Sequence, residues 1–458
     1  MTSGLRRGGA AAAIALGLAL AAAAPVRADG ITDGNQGREA LLKGDLDEAI
    51  RLFSHAIAFG GLTRQNQAVT LNLRGRAYLS KGQTEVSLDD LNESLRLADS
   101  AGARFNRATV YLDQYRFDDA VDDLTRAIAL GGQEADVYAQ RGHAYVYTGQ
   151  LELALKDLDE AVKRQPDYGF AYRTRGHAYL NANQDDKALA DETRAIALDP
   201  KDMEAYWLRA YVYRYRKKQI DKAVADYSHA LAINPADSAN RTGRAEAYEQ
   251  LGRYDLAAAD YEDWIRRNPK GPFGYWALGR LYLVQGKNDA AATRLAKAVS
   301  LKPTDAYHVL WLHLARRRSG VDDTAELHAN AARLGKAIWP TPLVDYFTGR
   351  IGAAEVLAQA AKAEGAARAT QTCEAQLFLG QDDIARGRRP DGLARLQSAR
   401  RDCAPDTQEA RLVKADLQRA GLAADPADAL PILRAKAQTP EQAPSAASDP
   451  LGLRGSLK

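Results

Sequence analysis

From about residue 30 to residue 303 the apolar positions recur in pairs of short runs, each at the spacing of one face of a helix. The stretch "VYAQRGHAYVYTGQLELALKDLDEAVKRQP", 137–166, shows one such pair. The first run predicts a helix to about Tyr147, ended at "TGQ" by the tight turn that Gly149 supplies. The second puts Leu151, Ala154, Leu155, Leu158 and Val162 on one face, and Pro166 closes it. Gly142, Ala154 and Ala161 are small enough for the two helices to approach closely. Neither stripe can be buried within a single pair, so the pairs must stack on one another.

The pairs keep a period. "RGHAY" occurs at 141–145 and again at 175–179, and the interval of 34 extends both ways. Prolines fall at 166, 200, 235, 269 and 303. Tyr78, Tyr111, Tyr145, Tyr179, Tyr213, Tyr248 and Tyr282 keep the same beat, as do Ala120, Ala154, Ala188, Ala223, Ala257 and Ala291. Fixed-period self-similarity of this kind predicts an array of eight units, starting near residues 30, 68, 101, 135, 169, 203, 238 and 272. The array also accounts for an unusual composition, 21 tyrosines against 8 phenylalanines. Seven sit late in the first helix, and Tyr138, Tyr172, Tyr206 and Tyr275 hold an earlier packing position, with hydroxyls near a wet edge. Departures are local: Ala40 replaces the first tyrosine, Ser87 an alanine, and Glu192 the usual aromatic of the second helix. One extra residue within "RYRKKQ" predicts a longer inter-helix turn in the sixth unit.

"YWALGRLYLVQG" at 275–286 resembles the tetratricopeptide repeat signature, with Tyr275, Leu278, Gly279 and Tyr282 in its places and Ala291, Ala298 and Pro303 completing the unit. The resemblance implies an all-α, right-handed tetratricopeptide superhelix (α-solenoid), here with a C-terminal helical repeat and capping region, that binds partner proteins. Past Pro303 the beat weakens. "DAYHVLWLHLARRRSG" and "DDTAELHANAARLG" predict a hairpin, and "WPTPLVDYFTGRIG" a corner. A repeat-like unit at about 373–405 and a capping helix, "DTQEARLVKADLQRAG", follow. Over roughly 306–420 this region resembles the new-lipoprotein-I type of periplasmic adaptor. That likeness implies a homodimer presenting a cell-wall hydrolase to a tail-specific protease. The chain departs from that family in having no lipid-anchor cysteine and a longer array.

The two ends read differently. "MTSGLRRGG", the apolar "AAAIALGLALAAAA" and "PVRA" form a secretory signal over 1–28, too short to span a bilayer. Cleavage after Ala28 removes Arg6, Arg7 and Arg27 and leaves 59 basic residues against 59 acidic ones. No global field then attracts nucleic acid or anionic lipid. The expectation is a periplasmic protein without a transmembrane anchor. The organisation expected is a signal at 1–28, repeats at 29–305, degenerate helical repeats and a cap at 306–421, and a tail at 422–458. The tail is rich in Ala, Pro, Asp and Ser, a composition that cannot bury a core.

His143 and His177 follow the small packing residue of the first helix by one position, a place that faces the concave groove in this repeat family. The same place holds Arg76, Thr109, Tyr211, Glu246 and Arg280, and the place four residues earlier holds Asn72, Phe105, Ala139, Arg173, Trp207, Thr242 and Trp276. The position recurs while the residue changes, as a ligand surface on a repeated frame requires. Phe105, Tyr147, Trp207, Tyr211, Tyr215, Phe273 and Trp276 are the candidate apolar anchors, with Arg76, Arg173 and Arg280 for carboxylates. Metal is not expected, because no third ligand accompanies the histidines. No phosphate-loop, zinc-protease or nucleophile-elbow motif is present, so neither catalytic residue nor cofactor is expected. The "DD" pairs at 89–90, 118–119, 122–123, 185–186, 322–323 and 382–383 read as solvated helix faces and dipole contacts, and "YRYRKKQ" as a charged turn. Cys373, expected to begin the first helix of the last hairpin, and Cys403, just after the end of the second, meet at its open end and in an oxidising compartment predict a disulfide. The leading reading is an envelope adaptor or scaffold. An enzyme or substrate-binding module in 306–421, or a structural assembly subunit, stands as the alternative.

Overall fold

The computed structural model describes residues 28–335 and 338–422. The expected export signal and the expected tail lie outside the described residues, their edges Ala28 and Leu422 excepted. Among those residues the chain is all-α, with 23 α-helices, one π-helical turn and no strand. It divides into two compact units at Gly252/Arg253.

The first unit runs through α1 (Ala28–Lys43), α2 (Leu46–Phe59), α3 (Arg64–Ser80), α4 (Thr84–Leu97), α5 (Ala101–Asp113), α6 (Phe117–Ala129), α7 (Ala135–Tyr147), α8 (Leu151–Arg164), α9 (Gly169–Asn181), α10 (Asp185–Leu198), α11 (Met203–Tyr211), α12 (Ile220–Ile233) and α13 (Ser238–Gln250). Odd-numbered helices are the first of each predicted pair, and from α1 to α12 each helix packs on its own partner and on its neighbours in sequence. The small residue of the first helix is what permits this. A Cβ at Gly142 would lie 2.7 Å from Leu158 Cγ. Ser87, in place of an alanine, is fully buried because its hydroxyl donates to the Gly75 carbonyl at 2.7 Å.

The extra residue of the sixth unit does not lengthen the turn. It is absorbed in a π-helical turn, Val212–Arg216, and three residues then lead into α12, as three lead from α7 into α8. A π turn takes in one residue without breaking the helix, and the wider turn lets Arg214 point into the core. Arg214 is buried and pairs with Glu246 at 2.8 Å.

The second unit contains α14 (Tyr254–Arg267), α15 (Pro272–Gln285), α16 (Asn288–Leu301), α17 (Ala306–Arg318), α18 (Thr324–Ala331), α19 (Thr341–Phe347), α20 (Ala353–Ala361), α21 (Gly365–Ala385), α22 (Arg389–Asp402) and α23 (Gln408–Arg419). The predicted hairpin is α17–α18, the corner is α19 and the cap is α23; α20 has no counterpart in the sequence reading. One core runs from Leu283 and Leu295 through Trp311 and Phe378 to Leu412 and Leu417, so residue 305 interrupts no core. Cys373 and Cys403 are bonded and both buried. Cys373 is not at the start of its helix as expected: α21 begins at Gly365 and extends beyond the hairpin, with residues 365–370 exposed.

Candidate functional site

Within the first unit the odd-numbered helices also pack on one another, α3 on α5, α5 on α7, α7 on α9 and α9 on α11, so their predicted groove positions lie side by side. Close packing has a cost for the site, since several of those positions are buried between neighbouring helices. Thr109 and Ala139 have 5% and no exposure where groove lining was expected. His177 is buried too, at 8%.

What remains half-buried or exposed is largely aromatic. Tyr147 stacks on Phe117, centroids 4.6 Å apart, and meets His143 and His177 edge-on at 5.0 and 5.9 Å. Phe170 closes on His143 at 5.7 Å. Farther along, Trp207, Tyr211 and Tyr215 form a row, 5.9 and 4.7 Å apart, continuing onto the π turn. Phe105 and Arg76 lie half-buried on α5 and α3. Phe117 and Phe170 are not marked by the repeat pattern because they lie in the first turns of α6 and α9, off the two repeat positions; as two of eight phenylalanines they were the available signal.

Burial, with Arg173 and then His177 adding, pushes the His143 imidazole down to about 3, so it is neutral at physiological pH, and its Nδ1 has no hydrogen-bond partner among the described residues. Arg173 is not free to receive a ligand carboxylate as expected. Its guanidinium pairs with Asp202, at 3.0 Å, and with Glu204 of α11. Among the described residues no three His, Cys, Asp or Glu side chains gather as a metal set.

The reading of the "DD" pairs as solvated faces fails for several of them. Asp90 and Asp123 are buried, and each takes a bidentate arginine from the preceding helix, Arg74 and Arg107. Asp382 and Asp383 are buried and ion-paired as well. The same ladder continues with Arg141–Asp157, Arg175–Asp191 and Arg209–Asp226, sixteen residues apart and seventeen in the last. Each arginine also reaches the previous helix pair, for example Thr125 from Arg141 and Thr193 from Arg209, both at 3.2 Å. The arginine of "RGHAY" thus stitches each repeat to itself and to the one before. Its periodicity, at 74, 107, 141, 175 and 209, was legible in the sequence.

In the second unit Phe273 and Trp276 are half-buried, and Arg280 is covered. Arg280 is buried between the Trp276 and Trp311 rings, at 4.2 and 4.7 Å, and its guanidinium pairs with Glu409 of α23 at 2.7 Å. The cap lies over the groove position, so Arg280 has an internal carboxylate in place of the ligand expected for it. Phe273 packs on Trp264 and Trp276. Close by, Glu374 accepts from Trp339 Nε1 at 2.5 Å and from the Tyr307 hydroxyl at 3.2 Å. Burial raises Glu374 to about 7, against the opposing effect of the Trp339 bond.

The model of the tetratricopeptide repeat family matches residues 72–135, 140–202, 173–238 and 213–272. Over those residues the chain carries tetratricopeptide repeats. Bacteriophage adsorption protein A of Escherichia coli K12 is 34% identical over 79 residues, 17% of this chain; the chain spans only 8% of that protein's length. Among solved structures, a tetratricopeptide repeat protein from Parabacteroides merdae is 20% identical, covers 54% of this chain and 98% of its own, and has a TM-score of 0.40. YrrB, described as a TPR protein with an unusual peptide-binding site, is 24% identical with coverages of 41% and 95% and a TM-score of 0.33.

Proposed function

We propose that the first unit binds a segment of a partner protein along its odd-numbered helices, and that the chain serves as an adaptor in the bacterial envelope. The observation that carries this reading is the row of half-buried to exposed rings on consecutive repeats, Phe105, Phe117, Tyr147, Phe170, Trp207, Tyr211 and Tyr215. Aromatic side chains supply large contact area at low entropic cost and dominate binding where they cluster. Tetratricopeptide proteins bind partner proteins or peptides, and no described helix is long and apolar enough to cross a membrane. The export signal read from residues 1–28 supports the envelope. The new-lipoprotein-I likeness supports a cell-wall hydrolase and a tail-specific protease as partners, and a homodimer as the assembly.

The test is a peptide selected from a display library against the chain, its affinity then compared with Trp207→Ala/Tyr211→Ala and Tyr147→Ala proteins. Loss of about tenfold or more per variant is expected. Unchanged affinity with an unchanged circular-dichroism spectrum moves the surface elsewhere.

A further inference from the structure

The second unit contains a cavity of about 360 Å³, and we propose that it is a binding site for a small organic anion with the chemistry of an acylated amino acid. Its volume falls in the range of small-molecule sites. Three of the side chains lining it carry a buried polar atom with no hydrogen-bond partner among the described residues: Asn288 Oδ1, His313 Nε2 and Arg318 Nη1. Buried polar atoms are nearly always paired, and each one left unmade costs free energy, so three around one cavity mark where an occupant's polar groups belong.

Each atom specifies part of that occupant. His313 is 6% exposed, and its Nδ1 lies 2.8 Å from the buried carboxylate of Asp323. That partner engages the ring through Nδ1, which leaves Nε2 to meet a polar group of the ligand. Asn288 Oδ1 is an acceptor, so the ligand needs an N–H or O–H donor. Arg318 presents the opposite requirement. Its Nη2 is committed to Asp416, and its Nη1 remains as a donor.

Charge points the same way. The lining holds Arg317, Arg318, Arg389 and Arg419 against Asp382 and Asp416. Asp416 already accepts from Arg318, Arg419 and, at 2.6 Å, Gln381, while Asp382 takes Arg317, Arg386 and the Tyr346 hydroxyl. Arg389 has no ion pair among the described residues, so positive charge is in excess and a carboxylate is the complementary group. Leu314, Phe347, Ile384 and Leu393 supply an apolar wall. One carboxylate, one N–H donor and one apolar side chain together are the groups of an N-acyl aliphatic amino acid.

Titration calorimetry of the full chain with N-acetyl-leucine tests this, alongside N-acetyl-leucinamide, which lacks the charge, and 4-methylpentanoate, which lacks the N–H. N-acetyl-leucine is expected to bind with a Kd below about 1 mM, and each control at least about tenfold more weakly. Arg318→Gln should weaken binding about tenfold or more. Arg389→Gln, on an exposed residue whose loss threatens no core contact, should weaken it severalfold with an unchanged circular-dichroism spectrum. A tetrapeptide ending in leucine offers the same groups: tighter binding than N-acetyl-leucine assigns the cavity to a chain terminus, and exclusion assigns it to a free small molecule. Absence of N-acetyl-leucine binding, equal binding of the amide, or full affinity in folded Arg389→Gln overturns the assignment.

Discussion

Glu192 is 1% exposed, on the side of α10 that packs against Gly176, at the place where the neighbouring pairs have Leu124, Leu158 and Tyr227. Neither carboxyl oxygen has a hydrogen-bond partner among the described residues, and burial raises its pKa well above the usual range; Arg173 opposes this and Asp202 reinforces it. An unfolded glutamate releases its proton near pH 4.3, while the folded one holds it. Between those two pKa values the folded state binds the extra proton, so stability falls as pH rises, by up to about 1.4 kcal/mol per pH unit. Glu192→Leu should therefore raise the melting temperature at pH 7 and flatten its dependence on pH from 4.5 upward. A melting series across that range checks it; an unchanged slope means Glu192 is charged and solvated in the fold. The Arg–Asp ladder makes the opposite prediction for a paired charge. Asp157→Ala leaves Arg141, mostly buried, without its bidentate partner, and should cost about 2–4 kcal/mol. Arg141→Met/Asp157→Leu should cost less than that single change, because no uncompensated charge remains. Chemical denaturation of the three proteins gives the comparison.

Among the elements, two were altered from their expected form by packing. The sixth first-helix keeps its three-residue exit only by opening into a π turn at Val212–Arg216, which carries Tyr215 to 36% exposure and buries Arg214. Helix α21 runs 21 residues, so Cys373 meets Cys403 from mid-helix. The bridge still closes 30 residues between two buried sulfurs. Loop-closure entropy predicts that Cys373→Ala/Cys403→Ala lowers stability by about 3–4 kcal/mol. Reduction of the parent protein should shift the melting curve in the same direction, and an identical curve with and without reductant would rule out the staple.

The whole molecule is repetitive where its sequence is, and a repeat array can lose a full period and remain in register. Deleting 135–168 joins α6 to α9 and brings Arg175 against Thr125, the side chain that Arg141 now uses. The shortened chain should keep its helicity per residue and melt cooperatively, whereas deletion of 135–151 should not; circular dichroism of both, behaving alike, would refute the 34-residue frame. The period, the helix pairs, their turns apart from that of the sixth unit, and the cysteine pair were legible in the sequence, because each is enforced by local spacing: an apolar stripe, a small residue, a helix terminator. Which groove positions remain open was not. Thr109, His177 and Arg280 occupy the same repeat position as His143, yet neighbouring helices or α23 bury them. Nor did spacing reveal that Asp90 and Asp123 face arginines, or that Asn288, His313 and Arg318 line one cavity. Burial and charge pairing depend on what lies opposite, and the residues opposite come from other helices, in the case of Arg280 and Glu409 from 129 positions away.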